Sequence, residues 1–203
     1  GTSPTYNTTV TVSAVNDAPV LADTALTLTV TEDAGVPSGA VGSLISTFTG
    51  GITDVDSGAS KGLAITGSNQ TNGTWYYTRN GGTTWTAVGT VSNTSALLLA
   101  DNASTRLYFA PNANYNGTST AALTVRAWDQ TSGTAGTKVS TASTGGITAF
   151  SSATDTVNVT VTAVNDASTI TSLSGDSRAY SEGAGAVVIE SGNALVADVD
   201  STN

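Results

Sequence analysis

Acidic and amide side chains are the residues of this chain best placed to do chemistry, and they fall in a repeated order. Asn16-Asp17 follows a run of alternating Val and Thr, Glu32 comes next, then Asp54-Val55-Asp56, and Asp129 closes another alternating run. The order restarts at Asn165-Asp166 and continues to Asp198-Val199-Asp200. Oxygen donors of this kind suit a hard cation: calcium takes about six to eight oxygens from carboxylates, Asn side chains, backbone carbonyls and water. Asp54 and Asp56, one residue apart, can present both carboxylates to one ion from a single turn. Asn16-Asp17 supplies further oxygens from a joint after a strand, and Asp129 adds another from a strand end. Without an ion such neighbours repel; a bound cation reverses that repulsion and fixes the joint. The competing reading is solvated turns, where Asp and Asn hydrogen-bond locally without any metal. The ordered recurrence favours the cation.

The elements that must position these groups are strands. Thr9 to Val15 alternates Val10, Val12 and Ala14 against hydroxylated residues, and residues 25–30, 121–128 and 156–164 do the same; such a period of two gives one buried and one wet face. Shorter runs at 41–48, 63–66, 74–79, 83–88, 96–100 and 106–110 are each bounded by Gly, Asn, Asp or Pro. No window of about 12 residues carries a helical period. The expected fold is all-β, an antiparallel β-sandwich of about eight to ten short strands. Gln130 to Ser152, rich in Ser, Thr, Gly and Ala, reads as an exposed connection with at most a short strand around Ile147 to Phe150.

The tract Val-Asn-Asp-Ala occurs at Val15–Ala18 and again at Val164–Ala167, 149 residues later, and Thr31-Glu32-Asp33 is answered by Ser181-Glu182-Gly183. This register divides the chain into the last strand of a preceding repeat (1–17), a complete repeat (18–166) and the start of a following one (167–203). Six Lys plus Arg against 15 Asp plus Glu give a net charge of −9, which argues against nucleic acid and anionic membrane as partners. No apolar run approaches the roughly 18 residues of a membrane span. The absence of Cys removes disulfides and thiolate metal sites, and the absence of His removes the commonest general base and soft-metal ligand. Without a histidine to activate a serine, a Ser-X-X-Lys arrangement or a phosphate-binding glycine loop, the chain reads as a non-enzyme with no catalytic residue.

A second constellation is aromatic. Trp75, Tyr76, Tyr77 and Trp85 flank Thr78-Arg79-Asn80-Gly81-Gly82-Thr83-Thr84, where Asn-Gly between strand-like runs signals a hairpin. The segment resembles the Asp-box hairpin of sialidase-like propellers, with Asn80 in place of the usual Asp. Exposed, the rings of Trp75, Tyr77 and Trp85 could stack on a sugar; buried, they fill the core.

Several of these motifs together resemble the cadherin superfamily. Val15-Asn16-Asp17-Ala18-Pro19 is similar to the cadherin linker, Glu32 stands where the first-strand glutamate would be, Asp54-Val55-Asp56 is similar to Asp-X-Asp, and Ala127-Trp128-Asp129 to the strand ending Ala-X-Asp. Leu107-Tyr108-Phe109-Ala110-Pro111 followed by Asn114-Tyr115-Asn116-Gly117 is similar to the cadherin-like repeats of very large bacterial surface adhesins of the RTX type. The resemblance implies an Ig-like or cadherin-like β-sandwich with partial neighbouring repeats at both ends, placed at the extracellular cell surface. It implies Ca2+ at two shared sites: Asn16 and Asp17 with Asp54, Asp56 and Asp129, and Glu32 with Asn165, Asp166, Asp198 and Asp200. The linker lacks the outer Asp and last Asn of the full motif, Ser168 stands where Pro19 does, and Asp-Arg-Glu is missing, so fewer or weaker ions are expected at each joint. The function expected is that of an extender module in a calcium-stiffened adhesin or surface fibre, its partners being neighbouring repeats or like subunits. The alternatives are a filament or surface-layer subunit polymerising by strand complementation, and a carbohydrate-binding module with surface glycans as partner.

Overall fold

The computed structural model describes residues 1–172, 179, 181–183, 185 and 194–198. Fourteen strands are present among them: β1 Val20–Leu21, β2 Leu26–Thr31, β3 Ser43–Leu44, β4 Ile52–Thr53, β5 Gly62–Ser68, β6 Gly73–Thr78, β7 Thr86–Ala87, β8 Ala96–Ala100, β9 Arg106–Pro111, β10 Gly117–Trp128, β11 Lys138–Val139, β12 Asp155–Thr162, β13 Thr169–Thr171 and β14 Leu195–Ala197. They form a six-stranded sheet in the order β11-β8-β5-β10-β12-β2 and a four-stranded sheet in the order β3-β9-β6-β7, with β1–β4 and β13–β14 as separate pairs. The protein is an all-β sandwich. Every pairing is antiparallel except that of β12 with β2.

Alternation is the cause of the sandwich. In β12 the valines 157, 159 and 161 are buried while the intervening Thr and Asn stay wetter, and their inner face meets Trp75, Leu107 and Phe109 of the opposite sheet in one cluster with Leu63, Ile65, Leu97, Leu99, Leu123 and Val125. A large apolar side chain fully buried this way contributes about 1.5–3 kcal/mol. Between β3 and β4 a 3-10 turn, Ile45–Phe48, replaces the extended run expected over 41–48 and drops Ile45 and Phe48 into the core. Burial at a spacing of three, not alternation, fits that turn.

The stretch from Gln130 to Ser152 departs from the exposed connection expected. It folds over the outer face of the six-stranded sheet and buries a second cluster of Ala64, Ala96, Leu98, Ala100, Trp128, Ala149 and Phe150. This cover explains why β8, Ala-Leu-Leu-Leu-Ala, is buried at every position; a strand covered on both faces reads as a continuous apolar run. Arg79 donates to the Ala135 carbonyl (2.7 Å) and Arg126 to those of Ser151 and Ser152 (3.0 and 2.7 Å), pinning the segment down. The expected strand around Ile147–Phe150 reduces to one bridge between Phe150 and Trp128.

Thr9 to Val15 forms no strand, and Val10, Val12 and Val15 are exposed. An extended run needs partners for its backbone groups, and this one lies outside both sheets. The side chains of the hydrophobic core among the described residues run from Leu21 to Val161.

Candidate functional site

β4 ends at Thr53 and the chain turns through Asp54-Val55-Asp56, where Asp54 Oδ1 accepts the Asp56 N–H at 2.9 Å. This local bond turns Asp56 towards the linker, and its Oδ2 accepts the backbone N–H of Asp17 at 2.8 Å. Asp54 Oδ2 is different: it is shut off from solvent and has no hydrogen-bond partner. An orphaned carboxylate oxygen out of contact with water costs free energy unless a cation or proton meets it.

Asp129 arrives at the same joint from the end of β10 and is 3% exposed. Its Oδ1 accepts the N–H and the hydroxyl of Thr131 (2.8 and 2.6 Å), and its Oδ2 accepts the Asn16 amide at 3.0 Å. A cleft of about 530 Å³ lined by Val15, Asn16, Asp56, Asp129 and Gln130 opens between linker and module. Asn16, Asp17, Asp54, Asp56 and Asp129 are therefore brought to one joint, linked through N–H donors. Among the described residues, no group of three or more acidic side chains is close enough to form a cation cage by itself. Asp54 and Asp56, with the Asn16 amide oxygen, backbone carbonyls and water, are the donors that fit a hard ion here.

The second expected set is arranged differently. Glu32 follows β2 and is 2% exposed; its Oε1 accepts the Val164 N–H at 2.5 Å and its Oε2 the Asn116 amide at 3.2 Å. Glu32 thus ties the departing linker and the 112–116 turn to the edge of β2. Asn165 donates to the Asp166 carbonyl (2.9 Å), as Asn16 does to that of Asp17 (3.2 Å), and Asp198 accepts the Ser168 hydroxyl at 2.5 Å. Asp200 lies outside the described residues.

The aromatic hairpin forms between β6 and β7. Asn80 Oδ1 accepts the Thr84 N–H (3.0 Å) and the Thr78 hydroxyl (2.8 Å), so the amide does the turn-closing work of an aspartate. Trp75, offered above as a sugar platform, is fully buried against Phe109 with ring centroids 5.1 Å apart and shows no face to a ligand. Tyr77 packs on the main core. Trp85 is half-buried, donates to the Gly39 carbonyl at 3.1 Å and meets Tyr108 edge-on. Burial pushes the Tyr108 phenol above its ordinary value, and its hydroxyl donates to the Ala34 carbonyl at 3.2 Å.

Sequence reasoning missed Thr148, Gly146 and Ile147, whose carbonyls meet the linker at Ala18 and Asn16. The Gly145-Gly146 pair was the available signal, since both adopt positive φ (71° and 57°). No helix among the described residues is long and apolar enough to cross a membrane. No family model, curated protein or solved structure matches this chain.

Proposed function

We propose that the chain is an extender segment of a calcium-stiffened extracellular surface fibre, one β-sandwich module with parts of its neighbours, working mechanically and not as an enzyme. The observation that carries this reading is the orphaned Oδ2 of Asp54, beside Asp56 and the Asn16-Asp17 linker. A calcium ion there would bond the turn after β4 to the linker and lock their relative direction. The chain's −9 charge, spread over acidic joints, fits a protein that gathers divalent cations. Extracellular modules bind calcium at about 0.1–1 mM, so such joints would be loose in a calcium-poor cytosol and set outside it. Calcium at about 100 times its dissociation constant should stabilise the module by about 2.7 kcal/mol. Melting with calcium and with EDTA checks this, together with small-angle scattering of linker flexibility; identical curves in both would remove calcium from the account.

A second reading, assembly by strand addition, draws on the exposed valines of residues 10–15. Sedimentation over a range of concentrations separates the two, because only assembly predicts growth in size.

A further inference from the structure

We propose that the 145–148 turn, at the tip of the segment covering the outer sheet, is a clamp for the linker that works without an ion, with Asn16 as its positioning residue. The proposal rests on the reading of residues 15–18 as a joint between units, but not on calcium.

The turn is closed by bonds of its own, without the linker. Gly145 N–H donates to the Phe150 carbonyl at 2.8 Å, and the N–H and hydroxyl of Thr148 both donate to the Gly145 carbonyl (3.1 and 2.9 Å). Phe150 anchors its base in the outer cluster beside Trp128. Positive φ at Gly145 and Gly146 then turns carbonyls outward. The Gly146 carbonyl accepts the Ala18 N–H at 2.7 Å, and those of Thr148 and Ile147 face the Asn16 amide nitrogen at 3.3 and 3.5 Å.

Asn16 is chemically suited to its place. Its nitrogen, with two N–H groups, lies within hydrogen-bond distance of four acceptors: Asp129 Oδ2 at 3.0 Å and the Asp17, Thr148 and Ile147 carbonyls. A carboxylate at this position would repel Asp129 and the carbonyls; an amide donates to them. The nitrogen thus bridges Asp129, after the end of β10, to the covering segment. Next to Ala18, Pro19 is buried. The joint therefore has two fastenings that meet at Asn16, one of hydrogen bonds from its amide nitrogen on the side of the turn and one of carboxylates on the side of Asp54.

Amide hydrogen exchange by NMR on the whole chain in EGTA tests the clamp. The Ala18 amide should exchange at least about tenfold more slowly than those of Val10 and Val12, which lie in no strand. Asn16→Ala and Asn16→Asp should each remove most of that protection, with the amides of Leu99 and Val125 still protected as proof of folding. Asp54→Asn should leave the Ala18 amide protected while removing any response to added calcium. An Ala18 amide that exchanges as fast as that of Val12, or is unchanged in both Asn16 variants, overturns the proposal. Protection that persists with no calcium response at all would uphold the clamp and reject the ion.

Discussion

The pairs β1–β4 and β13–β14 are two versions of one motif in unlike surroundings. Val20 pairs with Thr53 and Leu21 with Ile52; 149 residues after the first two, Thr169 pairs with Ala197 and Ile170 with Val196. Counted from each Val-Asn-Asp-Ala tract and each Asp-X-Asp tract, the register is the same. Burial is not: Leu21 and Ile52 are 5% and 1% exposed, against 57% and 52% for Ile170 and Val196. The same register recurs beside the same two tracts, whereas burial comes from the core, which Leu21 and Ile52 join in one cluster with Leu28, Ile45 and Phe48. The difference teaches that the linker and the paired aspartates form a self-contained unit whose stability depends on what packs over it.

That contrast can be broken most forcefully at its buried member. Ile52→Ala should cost about 2–5 kcal/mol in urea unfolding, while Val196→Ala should stay within about 0.5 kcal/mol; similar costs at both would mean that the pairs are equally packed. Asp54→Asn comes next. It should abolish the calcium-dependent stabilisation of about 2.7 kcal/mol expected near 100 times the dissociation constant, and a calcium shift in melting temperature that survives would place the ion elsewhere. The smallest effect belongs to Ser168→Ala, which removes one exposed hydrogen bond to Asp198 and should change stability by less than about 0.5 kcal/mol. A larger loss in the same urea titration would show that the second pair is held more firmly than its exposure implies.

Alternation and short runs bounded by turn residues made the sheets legible. The runs at 96–100 and 106–110 became β8 and β9, and those at 121–128 and 156–164 fell within β10 and β12 to within a few residues. Strands of two residues, such as β1 and β4, carry too few positions for a period and were not visible. The covering segment was misread because its composition is that of a loop; only Ala149, Phe150, Ala135 and Val139 give it an apolar face, and they are too far apart in sequence to form a pattern. At the joint, Asp-X-Asp announced its turn, and the convergence with Asn16-Asp17 and Asp129 followed the repeat order. What spacing cannot encode is occupancy by donors. Asp129 is already met by Thr131 and Asn16, Glu32 by Val164 and Asn116, and of the first set the carboxylate oxygen left orphaned is that of Asp54. Trp75 could not be told from an exposed ring because a hairpin presents alternate residues to opposite faces.

The most direct test is a crystal grown with calcium and measured for its anomalous signal. The account predicts a peak about 2.3–2.6 Å from Asp54 Oδ2, with Asp56 or the linker completing the coordination. A well-ordered joint with no such peak and with Asp54 Oδ2 bonded to water or to a protein donor would contradict it.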